Sequence, residues 1–256
     1  FERRHAVATV TLNRPAKLNA MTWQMVDEFL QAIDMCANED GIRALVFTGA
    51  GRAFSSGDDI VDGMGERIGL NPDGINAERG PHYRLVKGLL ELPKPAIAAI
   101  NGRCHGAGFV LATACDFRVA RADALIGDIR SGRAIFAGQG VPLLLPRLIG
   151  QSRAMDLLMT GRVIDTAEAE RIGYLHRVWP AENWDSELAA YIGELASGPT
   201  KTYAAWKLAI NRAVLNELDA YTDYERTVAN TVRTTEDHAE GRASFKEKRP
   251  AQYQGR

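Results

Sequence analysis

The sequence predicts an α/β fold, with a core of parallel strands to about residue 180 followed by a helical region. Two observations carry this. Short apolar runs alternate with helical periodicity through the first two-thirds of the chain, and strands interleaved with helices pair in parallel through crossover connections. From Ile149 onward the texture changes to helical patterns with few strand signals, which divides the chain into 1–180 and 181–256.

Val7 to Leu12 alternates apolar and polar residues, the pattern of a half-buried strand. Thr22 stands where it can cap a helix whose Met25, Val26, Phe29, Leu30 and Ile33 share one face. Ala44 to Thr48 is a short run of strand formers stopped by Gly49-Ala50-Gly51. Ala96 to Ile100 repeats the pattern before Asn101-Gly102, and Phe117 to Ala120 gives a third copy. The glycine-rich stretch from Gly63 to Pro81 reads as a loop. Asp165 caps a helix over Ala167 to Ile172, which Gly173 stops. Helical patterns follow over Glu182–Leu195, Pro199–Leu218 and Tyr221–Thr234.

Composition narrows the function. The 256 residues hold 31 Lys+Arg against 32 Asp+Glu, a net charge of −1, so no sustained field draws in a polyanion. Neither nucleic acid nor a membrane surface is an expected partner. No apolar run approaches the ~20 residues that span a bilayer. Cys36, Cys104 and Cys115 are a sparse, odd set that fits a reducing compartment, so the cytoplasm is expected. The sequence starts at Phe1 rather than Met, which leaves organelle targeting open.

Several chemistries lack their residues. There is no His-Glu-x-x-His and no Cys-x-x-Cys, and the five histidines are scattered, so no metal is expected. Neither a Gly-x-Ser-x-Gly elbow nor a P-loop is present. Gly49-Ala50-Gly51 is half of a dinucleotide fingerprint whose third glycine position is Phe54. Cys104 is a candidate nucleophile, but no neighbour in sequence would activate it.

Two turns carry the remaining signal. Phe54-Ser55-Ser56-Gly57-Asp58-Asp59-Ile60 follows the Ala44–Thr48 strand, and Asn101-Gly102-Arg103-Cys104-His105-Gly106-Ala107-Gly108 follows Ala96–Ile100 and opens an apolar helix. Small residues in both let backbone approach a ligand closely, and amides of a helix's first turn have no partner within the helix. One amide from each turn, aimed at a common oxygen, would stabilise an oxyanion. The alternative is two ordinary tight turns between strand and helix.

These turns resemble those of the crotonase (enoyl-CoA hydratase/isomerase) superfamily. So do Asn13-Arg14-Pro15-Ala16-Lys17-Leu18-Asn19-Ala20, Leu92-Pro93-Lys94-Pro95, Cys115-Asp116, Leu145 to Gly150, Leu158 to Ala169 and Phe245-Lys246-Glu247-Lys248-Arg249. Together the matches span nearly the whole chain in the family's order. The resemblance implies a crotonase-like spiral of ββα turns with a C-terminal helical trimerisation region, assembling as a homotrimer or a dimer of trimers. It implies a coenzyme A thioester as substrate and no cofactor beyond the coenzyme A that the substrate carries. The thioester oxygen would sit between the amides of Asp58 and Ala107, where alanine replaces the family's usual glycine but keeps the N–H. Lys17, Leu18, Asp59, Ile60 and Val61 match positions along the coenzyme A path. Phe245 and Lys248 match positions that reach it from the C-terminal region, in many members from a neighbouring subunit.

The chain departs from the family at both catalytic glutamates. The position three residues after the second donor is Val110, and the second glutamate's position, in Ile126-Gly127-Asp128-Ile129-Arg130, is Arg130. Valine cannot move a proton and arginine stays charged, so hydration by a glutamate pair is not expected. Asp128, His105 and Asp58 are the substitutes in reach, with Asp128 and Arg130 able to pair if the segment is extended. Arg103, Arg130 and Arg133 form a cation excess around the expected acyl pocket, which suits a carboxylate on the acyl group. The first reading is therefore a lyase or isomerase acting on acyl-CoA. The alternatives are a decarboxylase or thioester hydrolase using the same hole, or a non-catalytic acyl-CoA-binding member.

Overall fold

A computed structural model describes residues 1–59, 80–136 and 138–256. Its core is a ββα unit repeated three times. Strand β3 (Ala44–Gly49) is followed by β4 (Ala53–Ser55) and helix α2 (Pro81–Glu91), and β5 (Ala96–Ile100) by β6 (Arg103–His105) and α3 (Ala107–Ala114). The third unit is β7 (Phe117–Arg121), β8 (Leu125–Gly127) and α4 (Val141–Ile149). The first strand of each unit enters one sheet and the second strand enters another.

The larger sheet has six strands in the order β1-β2-β3-β5-β7-β10, where β1 is Glu2–Arg4, β2 is Val7–Leu12 and β10 is Arg177–Trp179. All its pairings are parallel except β1 with β2. Its central strands read as unbroken apolar runs because both faces are covered. Leu45, Phe47, Ala96, Ala98 and Ile100 enter the main core, while Ala44, Val46, Ile97, Ala99 and Val119 face helix α7 (Trp184–Ser197) through Trp184 and Ala196. The smaller sheet runs β4-β6-β8-β9, with β9 at Ile164–Asp165. Its strands are two or three residues long, too short for an alternating pattern to register, and the sequence reading missed them.

Helix α1 (Trp23–Asn38) starts as expected, with Thr22 Oγ1 accepting from the Met25 amide at 3.3 Å. It buries Met25, Val26, Phe29 and Ile33 and leaves Leu30 half-buried. Helix α5 spans Gln151–Thr160. Helix α6 (Thr166–Arg171) is capped by Asp165, whose Oδ1 accepts from the Glu168 amide at 2.7 Å. The two patterns expected over 199–218 and 221–234 form one helix, α8 (Thr200–Arg233). No glycine or proline stands between Thr200 and Arg233, and the apolar stripe continues through Leu218 and Tyr221, so nothing breaks it. Val214 and Leu218 of α8 join the main core. Helix α9 (Glu236–Glu247) closes the chain against the Ser131–Arg133 turn.

The smaller sheet positions the candidate site. Strands β4, β6 and β8 are parallel neighbours, with Ala53 opposite Arg103, Ser55 opposite Cys104, and His105 opposite Gly127. Their C-terminal ends therefore lie side by side and deliver Ser56 to Asp58, Gly106-Ala107 and Asp128 to one edge. In open parallel sheets that edge is where ligands bind.

Candidate active site

The turn after β4 is held by the segment before α1. Asn19, fully buried with φ +56°, donates from Nδ2 to the carbonyls of Ala50 and Ala53 at 2.9 and 2.7 Å, and its Oδ1 accepts from the Arg14 amide at 2.9 Å. Ser55 Oγ donates to the Asn19 carbonyl at 2.8 Å and accepts from the Gly57 amide at 3.1 Å. The Ser56 amide donates to Leu18 O at 2.9 Å, and the Asp59 amide to Met21 O at 2.8 Å. Among the described residues, three of the four amides from Ser56 to Asp59 are thus used by the fold and that of Asp58 has no acceptor.

The turn after β6 meets it directly. Gly57 has φ +105°, and a Cβ added there would lie 3.3 Å from the His105 carbonyl and 3.4 Å from the Ala107 nitrogen. Glycine alone permits both the dihedral and the approach. A Cβ on Gly108 would stand 2.7 Å from the Ser55 Cβ, so its absence lets α3 begin against the end of β4. Ala107 is the first residue of α3, and among the described residues its amide also has no acceptor. Two N–H groups from adjoining turns are thus left without an acceptor among the described residues.

The side chains around this point form a connected polar cluster. His82, on the first turn of α2 and 7% exposed, places Nε2 3.1 Å from Asp58 Oδ1. Burial alone would raise the Asp58 carboxyl. The charge and hydrogen bond of His82, the Arg130 guanidinium and a hydrogen bond with Gln139 outweigh it and hold the group below its ordinary value. Arg130 grips Asp128 as a fork, Nε to Oδ1 at 2.7 Å and Nη2 to Oδ2 at 2.5 Å, and its Nη1 donates to Gln139 Oε1 at 2.9 Å. Burial opposes the Arg130 charge, but Asp128, Asp58 and Glu225 together raise its pKa. Glu225, on α8, accepts from the Gly140 amide at 3.0 Å, and burial pushes its carboxyl up to about 7 against the opposing pull of that bond and of Arg130.

The other expected residues fall as follows. His105 ends β6 with Nε2 buried and, among the described residues, without a hydrogen-bond partner; burial, then Arg103 and Arg133, lower its pKa, with Asp128 opposing. Val110 is 1% exposed in the core. The Asp128–Arg130 pairing arises in a tight turn rather than in an extended segment, because β8 ends at Gly127 and Arg130 is helical. Asp59 is buried with Arg14 Nη1 2.8 Å from its Oδ2. Lys17 is exposed and Leu18 half-buried at the end of the Pro15–Lys17 turn, next to Ser56. Ile60 and Val61 lie outside the described residues, as does the expected loop up to residue 79; Pro81 already opens α2.

Phe245 lies in the last turn of α9, with the Arg133 guanidinium 4.0 Å over its ring, and Lys248 follows the helix in the left-handed region. Arg103 is exposed. Cys104 is fully buried and its thiol is pushed well above the ordinary range by burial, the opposite of an activated nucleophile. His82, Gln139, Glu225 and Trp23, whose ring meets His82 edge-on at 5.8 Å, were not found from sequence. A histidine just after the Gly80-Pro81 helix start was the available signal for the first of these.

Known proteins agree with this architecture. Residues 2–256 match the family model described as enoyl-CoA hydratase/isomerase. The 1,2-epoxyphenylacetyl-CoA isomerase of Escherichia coli is 35% identical over 251 residues, 98% of this chain and 95% of that one. A Mycobacterium tuberculosis protein named "Probable enoyl-CoA hydratase echA8" is 35% identical over 253 residues, covering 98% and 96% of the two chains. The crystal structure of an enoyl-CoA hydratase from Mycobacterium avium subsp. paratuberculosis superposes with a TM-score of 0.86 at 29% identity, covering 98% of this chain and 96% of that one. A match of this extent in sequence and fold leads to one assignment: the chain belongs to the enoyl-CoA hydratase/isomerase family.

Proposed function

We propose that this protein is an acyl-CoA enzyme that holds a thioester oxygen between the amides of Asp58 and Ala107 and stabilises the enolate as it forms. One observation supports the reading: the Gly57 backbone packs against the turn that opens α3, a Cβ there falling 3.4 Å from the Ala107 nitrogen, and the amides left without an acceptor among the described residues are those of Asp58, next to Gly57, and of Ala107. Both donors are fixed by surrounding hydrogen bonds before any ligand arrives, so little reorganisation is needed when charge develops.

The reaction class follows from what surrounds the hole. Val110 and Arg130 stand where the family's two glutamates are expected, and neither can deprotonate a water. Lyase or isomerase chemistry, starting from removal of a proton next to the thioester carbonyl, needs only one base, and it is the reading these residues support best. The decarboxylase reading draws on a guanidinium fork in the acyl pocket that could hold a carboxylate on the acyl group. Of Arg103, Arg130 and Arg133, the fork of Arg130 is taken by Asp128 and Gln139, so that reading now rests on Arg103 and Arg133 and on decarboxylation needing no base. Lys17, Leu18 and Asp59 remain the proposed coenzyme A path from the first turn, with Phe245 and Lys248 as its C-terminal side. Assembly as a homotrimer or dimer of trimers through the region 181–256 belongs to the same reading, and light scattering measures it.

The experiment is a panel of saturated and unsaturated acyl-CoA thioesters incubated with the protein in deuterium oxide. Deuterium at the carbon next to the carbonyl, or migration of a double bond, is expected. Release of free coenzyme A would point instead to a hydrolase. Tight binding of coenzyme A with no exchange or turnover of any thioester would show a binding protein and refute the catalytic reading.

A further inference from the structure

We propose that His82 is the proton carrier of this site, with the Asp58 side chain holding its imidazole in the tautomer that leaves Nδ1 free to accept a proton. The proposal rests on the acyl-CoA reading above and names the base that reading lacks. It starts from a single residue doing two things: the Asp58 amide is the spare donor of the first turn, and the Asp58 carboxylate is 3.1 Å from His82 Nε2. The imidazole is therefore tied to the hole through one residue's own covalent frame.

The tautomer follows from the neighbours. Asp58 sits among His82, Arg130 and Gln139, all of which favour its ionised form, and an ionised carboxylate only accepts hydrogen bonds. Nε2 must therefore donate to it, and the lone pair is on Nδ1, which makes no hydrogen bond among the described residues. The Trp23 ring packed edge-on at 5.8 Å fixes the imidazole plane. A carboxylate that orients an imidazole and stabilises the imidazolium is the logic of the serine-hydrolase triad, used here without a nucleophile.

The other groups are worse placed. Asp128 has both oxygens on Arg130. Glu225 is held by the Gly140 amide, and burial, Arg103 and Arg133 oppose protonation of His105, whose ring has no carboxylate hydrogen-bonded to it among the described residues. In the proposed step the bond from hydrogen to the carbon next to the thioester carbonyl breaks and an N–H bond forms at Nδ1. The electron pair moves into the enolate, whose oxygen rests on the Asp58 and Ala107 amides. The imidazolium then returns the proton to the same carbon, giving exchange, or to another carbon of the conjugated system, giving isomerisation.

The test compares wild type, His82→Gln, His82→Asn, His82→Ala and Asp58→Asn in deuterium exchange and turnover of a 3-enoyl-CoA thioester, with thermal melts and coenzyme A calorimetry as controls. Folded His82 variants are expected to lose exchange by at least ~100-fold, the ordinary contribution of a general base, while KM changes by less than about threefold. Added imidazole should restore part of the rate to His82→Ala. Asp58→Asn keeps the backbone donor but reverses the preferred tautomer, so it should lower kcat by ~10-fold or more. A folded His82 variant with wild-type exchange would overturn the proposal and leave the hole standing. A wild-type protein that binds no thioester would overturn both.

Discussion

Replacing Ala107 by proline separates the amide from everything else that residue does. Ala107 is the first residue of α3, so its N–H serves no bond inside the helix, and proline is well tolerated at that position. The residue before it is Gly106, which lacks the Cβ that usually clashes with a following proline ring. Ala107 is 1% exposed, so the added ring atoms should cost about 1–3 kcal/mol of stability through overpacking. The catalytic loss should be larger in kind. Removing one donor from an oxyanion site costs about 2.7–4 kcal/mol of transition-state stabilisation, or ~100- to ~1,000-fold in kcat. Ala107→Gly keeps the N–H, should cost no more than about 1 kcal/mol of stability, and should leave kcat within a few-fold. Steady-state kinetics of the best thioester from the panel, alongside melts of all three proteins, reads the difference. A folded Ala107→Pro protein with near wild-type kcat would refute the two-amide hole.

Three further outcomes follow. Asn19→Ala strips the Ala50 and Ala53 carbonyls and the Arg14 amide of their partner, and should destabilise the protein by about 3 kcal/mol or more, read as a shift in urea midpoint. Arg130→Met leaves Asp128 buried without its counter-ion and should cost about 3–5 kcal/mol, whereas the Asp128→Asn/Arg130→Met double variant should recover much of that loss in a double-mutant cycle. Glu225 is raised from its ordinary 4.5 to about 7, so its contribution favours the fold below the ordinary value and is lost as pH rises through about 7. Glu225→Gln should therefore gain stability relative to wild type between about pH 5 and about pH 8, by on the order of 3 kcal/mol; equal denaturation curves at both pH values would contradict it.

The parts of the fold that were legible in sequence are those with long-enough patterns. The Ala44 and Ala96 strands announced themselves as apolar runs because two covered faces favour apolar residues throughout, and the Phe117 strand was legible despite Arg118, whose side chain is buried on the carbonyls of Tyr174 and Cys115. The caps at Thr22 and Asp165 were legible because capping is local chemistry. Strands β4, β6 and β8, which carry the site, were hidden because three residues hold no periodicity. The site divides the same way. The two turns were legible because glycine-rich turns after strands are a local signal, but it was the resemblance to the family that singled out Asp58 and Ala107 within them. His82 and Glu225 were missed because they arrive from helices distant in sequence, and nothing near residue 82 or 225 states which turn each will face. The Asp128–Arg130 pair was anticipated from spacing, but the tight turn that forms it was not, since two residues apart can meet in either geometry.

A structure of the protein with a non-reactive acyl-CoA thioester analogue bound gives the sharpest answer. The thioester oxygen should lie within about 3.1 Å of both the Asp58 and Ala107 nitrogens, with the acyl carbon next to the carbonyl facing His82 Nδ1. An oxygen bound elsewhere, or held by only one of the two amides, would contradict the account.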